Sequence, residues 1–261
     1  GGGNELSPPA HWLPMGLKSL GWHPCKFHDR LVLPESLEEF YGFSNYYGSI
    51  PKPLEVFHRC VDAHGTHELR PGFPPGLKRL HSEDCYASFA NSLPNLLSWT
   101  ATFGATPLVD ASMPSITSLT SVTLTSGWSS PTPLAQFIAQ LTHVKVLTLL
   151  RLLNVSSEDF KDVSPLLLRL ELESKSHPTE DFLFVLPTSL AHLHLRSSKV
   201  RNPSRLTLRG LHRLAEFVDL KSLWLTLSLI DLKESDLALL PRSLVTLTLQ
   251  GDTLLSGKVF A

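Results

Sequence analysis

Leu186-Pro187-Thr188-Ser189-Leu190-Ala191-His192-Leu193-His194-Leu195 comes back further on as Leu240-Pro241-Arg242-Ser243-Leu244-Val245-Thr246-Leu247-Thr248-Leu249. Shorter copies stand earlier: Leu13-Pro14-Met15-Gly16-Leu17-Lys18-Ser19-Leu20, Leu33-Pro34-Glu35-Ser36-Leu37-Glu38-Glu39-Phe40 and Phe73-Pro74-Pro75-Gly76-Leu77-Lys78-Arg79-Leu80. The shared frame is Leu-x-x-Leu-x-Leu, usually led by Pro three residues ahead. With its first apolar residue as anchor, the frame falls at Leu17, Leu37, Leu54, Leu77, Leu97, Leu119, Val144, Leu167, Leu190, Leu220 and Leu244. Self-similarity at this period marks a solenoid, in which each unit buries its apolar face only against its neighbours.

Strand geometry accounts for the frame. In Leu193-His194-Leu195 or Leu247-Thr248-Leu249 alternate side chains leave opposite faces of an extended chain, so Leu points inward and His or Thr outward. Pro just ahead of each strand has no N–H to donate and ends the preceding segment. Repetition of such a unit predicts one curved parallel sheet, with the outward residues at anchor+2, anchor+4 and anchor+6 lining its concave face.

Spacing and apolar positions together resemble leucine-rich repeats over nearly the whole chain. The Leu-Pro-x-Ser-Leu-x-x-Leu-x-Leu form is similar to the short Pro-led repeats of amoebal FNIP-type proteins and to the Leu-Pro repeats of bacterial effectors. The resemblance implies an α/β leucine-rich-repeat solenoid of about 11 repeats. It also implies a turn Asn at anchor+8, but the residues there are Cys25, Asn45, Asp62, Cys85, Ala105, Gly127, Leu152, Lys175, Ser198, Ser228 and Asp252. Only about half of these can serve turn backbone groups, so irregular turns are expected.

Composition bounds the rest. Leu supplies 52 of the 261 residues, yet no apolar run approaches the roughly 18 residues that a spanning helix needs. With 23 basic and 24 acidic residues and no charge blocks, nothing attracts nucleic acid or anionic lipid. Neither nucleic acid nor membrane is expected as a partner. The odd set Cys25, Cys60 and Cys85 suits a reducing compartment, and a cytoplasmic setting is the expectation. Gly1-Gly2-Gly3 reads as a processing remnant, with 1–12 a lead-in, 13–249 the array and 250–261 a tail or the start of a further repeat. The sequon Asn154-Val155-Ser156 is a single match, close to chance.

Return segments change in character along the chain. Ser44 to Ser49 is too short and Gly-rich for a helix. Later, Thr132-Pro133 opens a stripe of Leu134, Phe137, Ile138 and Leu141, and Ser156 before Ser157-Glu158-Asp159 reads as a helix start. Leu211, Leu214, Ala215 and Val218 form another stripe. The convex side is therefore expected to be extended or 3-10 first and helical later. Thr253-Leu254-Leu255 and Lys258-Val259-Phe260 make a poor polar cap, so the array is expected either to continue or to dock through its C-terminal end.

Reactive constellations are sparse. His58, Cys60, His64 and His67, with Cys85 one repeat on, are the densest potential metal ligands, but structural zinc sites show tighter paired spacings. A loop between repeats is the plainer account, and no metal or cofactor is expected. No Gly-rich phosphate loop, His-Glu-x-x-His or Gly-x-Ser-x-Gly appears, and a nucleophilic Cys would need an orienting partner that the sequence does not supply.

What remains is the outward face. The frame puts Tyr41, Phe43, His58, His81, Trp99 and Phe103 there in the first five repeats. A charged strip, Arg169, Glu171 and Glu173 beside His192, His194 and Arg196, follows, with Trp224 central in the tenth. Exposed Tyr and Trp favour recognition, while a solvated ladder of cross-strand pairs is the plain account of the charged strip. The reading is a non-enzymatic module that binds a partner protein through the concave face. The alternatives are a substrate-recruiting subunit of a larger enzyme, of ubiquitin-ligase type, and a structural subunit of a stable assembly.

Overall fold

The structure, a computed structural model, describes residues 13–21, 33–43, 53–60, 74–83, 93–103, 117–126, 132–153, 155–176, 178–197, 205–226 and 233–250. Within these, the side chains of residues 42, 43, 58–60, 82, 83, 103, 126, 132, 133 and 234 are not described. The described strands are β1 (Ser19–Gly21), β2 (Glu39–Phe43), β3 (Val56–Cys60), β4 (Arg79–Glu83), β5 (Ser98–Phe103) and β6 (Ser121–Ser126). They continue with β7 (Val146–Leu152), β8 (Arg169–Ser174), β9 (His192–Ser197), β10 (Ser222–Leu225) and β11 (Thr246–Leu249). All eleven lie in one sheet in sequence order, and every neighbouring pair is parallel. This is the leucine-rich-repeat solenoid expected from the frame.

Register runs straight through the leucines. Leu170 faces Leu193 and Leu193 faces Leu223; Leu172, Leu195 and Leu225 form the parallel row. All six are fully buried. Side chains of this kind stabilise by about 1.5–3 kcal/mol each on burial, so the spine is the main source of stability in every unit.

Two polar ladders fix that register. Ahead of nine of the strands the anchor N–H donates to the carbonyl three residues back, as in Leu17 to Pro14, Leu37 to Pro34, Leu77 to Pro74, Leu190 to Pro187 and Leu244 to Pro241. Pro serves there because its carbonyl accepts while its missing N–H is not required. The second ladder uses the residue just before the anchor. Ser36, Ser118, Ser189 and Ser243 each donate a hydroxyl to the preceding repeat's anchor carbonyl, on Leu17, Leu96, Leu167 and Leu220 at 2.8–3.2 Å. These serines stitch successive turns, the service that a turn Asn at anchor+8 is expected to give. Of the anchor+8 residues, Leu152 and Lys175 lie within the described residues; Leu152 is buried and Lys175 exposed.

The fifth repeat corrects the frame. Its anchor is Leu96, not Leu97: Leu96 N–H donates to Leu93, Ser118 donates to Leu96, and Leu97 takes the next rung, donating to Lys78. Leu96, Trp99 and Ala101 are fully buried and Leu97 is 44% exposed. Trp99, expected on the outward face, therefore points into the core. It pairs with Leu80 and Val122 and meets Phe137 edge-on with ring centroids 6.2 Å apart. A one-residue slip exchanges the faces of a strand, so the outward residues of β5 are Ser98, Thr100 and Thr102. A large Trp beside a small Ala replaces the usual pair of leucines at similar total volume.

In the later returns, α1 (Thr132–Gln140) buries Leu134, Phe137 and Ile138, with Leu141 just beyond, as its stripe predicts. Ser156 caps a single 3-10 turn, Ser157–Phe160, and its N–H donates to Asp159 Oδ2 at 2.8 Å. Phe160 meets Phe182 of α2 (Phe182–Val185) at 5.4 Å. In α3 (Leu208–Ala215) the buried face is Gly210, Leu211 and Leu214, continued by Phe217. Ala215 is exposed and Val218, 70% exposed, lies past the helix end, so the predicted stripe fails at these two positions. A last 3-10 segment, Glu234–Leu239, precedes β11. The earlier returns, with Ser44 to Ser49, lie outside the described residues.

Gly210 inverts a usual rule. Gly to Ala inside a helix ordinarily gains close to 1 kcal/mol, but a Cβ here would lie 2.6 Å from Leu206 Cδ1 and 2.7 Å from Glu180 Oε2. Both ends are committed. Leu206 is buried, and Glu180 accepts from Thr207 N–H at 2.8 Å and from the Thr207 hydroxyl at 3.0 Å, holding the start of α3. We expect Gly210→Ala to destabilise by about 1–2 kcal/mol, the overpacking cost exceeding the helical gain, read as faster amide exchange over α3.

Candidate functional site

The face turned away from the leucine spine carries three side-chain rows across the sheet. Its central row reads Tyr41, His58, His81, Thr100, Thr123, Thr148, Glu171, His194, Trp224 and Thr248, neighbours in register throughout. The stretch through β5 to β7 is plain Thr, Ser and Val, the composition of ordinary β-surface. Chemistry collects at its two flanks.

On the early flank Tyr41 is 38% exposed and His81 half-buried. Phe43 and His58 lie in β2 and β3, and Phe103 ends β5; their side chains are outside the described residues. Glu39 and Arg79 approach to 3.5 Å across the row position of Val56, and that valine is buried. Cys60 is in β3 with its side chain not described, and His64, His67 and Cys85 fall outside the described residues. Among the described residues no group of His, Cys, Asp and Glu is arranged to hold a metal ion, and no helix is long and apolar enough to cross a membrane.

The late flank brings Arg169, Glu171, His192, His194, Arg196 and Trp224 together over three adjacent strands, β8 to β10. Pairing is diagonal rather than straight across. Arg196 Nη2 donates to Glu171 Oε1, while Arg169, on the same strand as Glu171, is 3.6 Å from its other oxygen. The Arg196 guanidinium also lies over the Trp224 ring at 5.0 Å, and the His194 and Trp224 rings are 6.1 Å apart. His194 Nε2 is hydrogen-bonded to Ser222 Oγ at 2.9 Å. The sequence reading did not single out Ser222 or Thr226, although anchor+2 and anchor+6 mark both.

Thr226 follows β10 and extends its pairing: its N–H donates to Leu195 O at 2.9 Å, which places it opposite Arg196. It is fully buried, and among the described residues its Oγ1 has no hydrogen-bond partner. Trp224 Nε1 and Arg196 Nε are likewise shielded and unpartnered. Three polar groups at one corner of the sheet thus forgo hydrogen bonds worth about 1–3 kcal/mol apiece when buried.

Burial holds the His194 pKa below its ordinary value; Glu171 opposes this, and Arg169, Arg196 and His192 reinforce it. The unfolded chain therefore takes up the His194 proton first as pH falls through about 6.5. Stability from the neutral ring is complete above that pH and is lost below it. We expect the melting temperature of the wild type to fall more steeply between pH 7 and pH 5 than that of His194→Gln; parallel curves would contradict it.

The sequence matches no protein-family model and no curated protein. Among solved structures the chain is similar to one titled "The crystal structure of CroV588 a novel circular LRR protein structure", at 15% sequence identity and a TM-score of 0.48. The match covers 92% of this chain and 38% of that one.

Proposed function

We propose that this chain is a non-enzymatic interaction module whose open sheet face binds a partner protein. The observation that carries the reading is the late-flank cluster. Trp224, with Arg196 stacked on it, sits in the central row of the late flank, ringed by His192, His194, Arg169 and Glu171. Tryptophan and arginine anchors in partly desolvated surroundings carry most of the free energy in protein interfaces. The serine-stitched, Pro-led turns support placing the repeats in the short Pro-led class.

The test is in-cell photo-crosslinking from positions 171, 192 and 224, identification of the partner, and its affinity for the chain carrying Trp224→Ala and Arg196→Ala. A loss of about 30-fold or more is expected, equivalent to about 2 kcal/mol at a hot spot. Undiminished affinity would reject this face as the binding surface.

A second reading, docking through the C-terminal end as a structural subunit, is favoured by β11. Leu244, Leu247 and Leu249 are only partly buried, whereas Leu223 and Leu225 one repeat earlier are fully so. An assembly mass well above 28.9 kDa for the purified chain would support it, and a monomer would oppose it.

A further inference from the structure

We infer that the corner formed by Arg196, Trp224 and Thr226 takes uncharged oxygen acceptors, the side-chain amide carbonyls of a bound peptide segment, which together satisfy its three orphaned polar groups. The inference rests on the reading of this face as a protein-binding surface and names the chemistry it recognises. Its independent support is Thr226. Among the described residues the other buried polar side chains are hydrogen-bonded: Asp159 to Ser156, Ser164 to the Thr142 carbonyl and Ser174 to Ser176, with Ser197 also partnered. Thr226 alone keeps a fully buried hydroxyl without one.

The convergence is specific. Thr226 and Arg196 are directly opposed, and Trp224 is two residues from Thr226 on the same face, so all three lie within the reach of cross-strand neighbours. Guanidinium and indole N–H groups can only donate, and a threonine hydroxyl can donate as well, so the missing element is an acceptor. Arg196 lies over the indole with its side chain 28% exposed, so an incoming segment that displaces this long stem reaches the indole, with Thr226 two residues further along the chain.

Local charge argues for a neutral acceptor over a carboxylate. Arg169 and Arg196 are balanced by Glu171, which Arg196 already engages, and by Glu173, opposite Arg196 in register. A ligand carboxylate would be the third beside two fixed ones, without any surplus of positive charge, and burying an unpaired charge costs far more than burying an amide.

Two measurements on the full chain test this. The first is stability: Thr226→Val removes an unpartnered hydroxyl at equal shape, so the melting temperature should rise by about 2–4 °C. A fall would mean that the hydroxyl is already satisfied in the fold and would overturn the inference. The second follows the Trp224 indole 15N–1H resonance, identified by its loss in Trp224→Phe, during titration with two pools of N-acetylated, C-amidated decapeptides. One pool is rich in Asn and Gln, and in the other Asp and Glu replace them.

The neutral pool should move that resonance downfield with at least fivefold lower half-saturation than the acidic pool, and Thr226→Val should weaken the response at least fivefold, while Thr123→Val on the plain stretch leaves it unchanged. A stronger response to the acidic pool would reject the neutral acceptor. An unmoved indole resonance would reject the corner as a peptide site altogether. The photo-crosslinking result stands apart from both: a partner mapped to this face with an unmoved indole would keep the interaction reading and sink this one.

Discussion

Trp99→Ala is expected to cost about 3–5 kcal/mol, the range for truncating a fully buried aromatic with incomplete collapse of the cavity, whereas Leu97→Lys two residues earlier should change stability by no more than about 1 kcal/mol. The contrast follows from the frame of the fifth repeat. Trp99 is completely enclosed between Leu80 and Val122 and reaches Phe137 of α1, so its loss opens a void shared by three neighbouring units. Leu97 lies on the exposed rung beside Lys78 and Thr120. Because units in an array open locally, the decisive measurement is amide exchange over β4 to β6 alongside global denaturation. Faster exchange confined to those strands in Trp99→Ala, with Leu97→Lys near wild type, is the expected pattern. The reverse ranking would restore the frame anchored on Leu97 and put Trp99 on the open face.

Why the sequence misplaces this repeat is a question of which marker sets the frame. In Leu93-Pro94-Asn95-Leu96-Leu97 either leucine can serve as anchor, and Pro94 stands three residues before Leu97, the spacing of the other copies. The better marker is the polar residue immediately before the anchor. Asn95 donates its side-chain amide to Pro75 O at 2.8 Å, as Ser36 donates to Met15 O and Ser189 to Pro165 O. Proline tolerates several turn positions, whereas a side-chain donor must stand where the preceding carbonyl is, so Ser or Asn reports the register more strictly.

Elsewhere the alternation of Leu193, Leu195, Leu223 and Leu225 was legible directly, because two periodicities agreed: the strand period of two and the repeat itself. Val218 escapes the stripe because the 3.6 period holds only as far as the end of α3. There Phe217, the carbonyl partner of the Leu220 N–H, takes the buried place. For the late-flank cluster the frame identified the residues and their common face. It could not show that Arg196 chooses Glu171 diagonally or that Thr226 lacks a partner, since both depend on side-chain packing between repeats.

The second large effect is expected at Arg213, which ties the helical side of one repeat to the next. Its Nε donates to Leu183 O at 2.8 Å and its Nη2 to Leu186 O at 2.9 Å, so one edge of the guanidinium closes the end of α2 from α3. The same group lies over Phe217 at 5.3 Å and pairs with Glu216. Arg213→Met preserves much of the stem packing but removes both charge-assisted bonds. Each is worth about 1.5–3 kcal/mol, discounted because water can reach part of the site, for a net loss of about 2–4 kcal/mol. Arg213→Lys should recover less than half, since an ammonium is a point donor and cannot span both carbonyls in one plane. Glu216→Gln, which breaks only the outer ion pair, should stay within about 0.5 kcal/mol. Amide exchange over α2 and α3 measures all three variants, and equal losses for Lys and Met would point to the two-carbonyl bridge, while a Lys variant at wild-type stability would refute it.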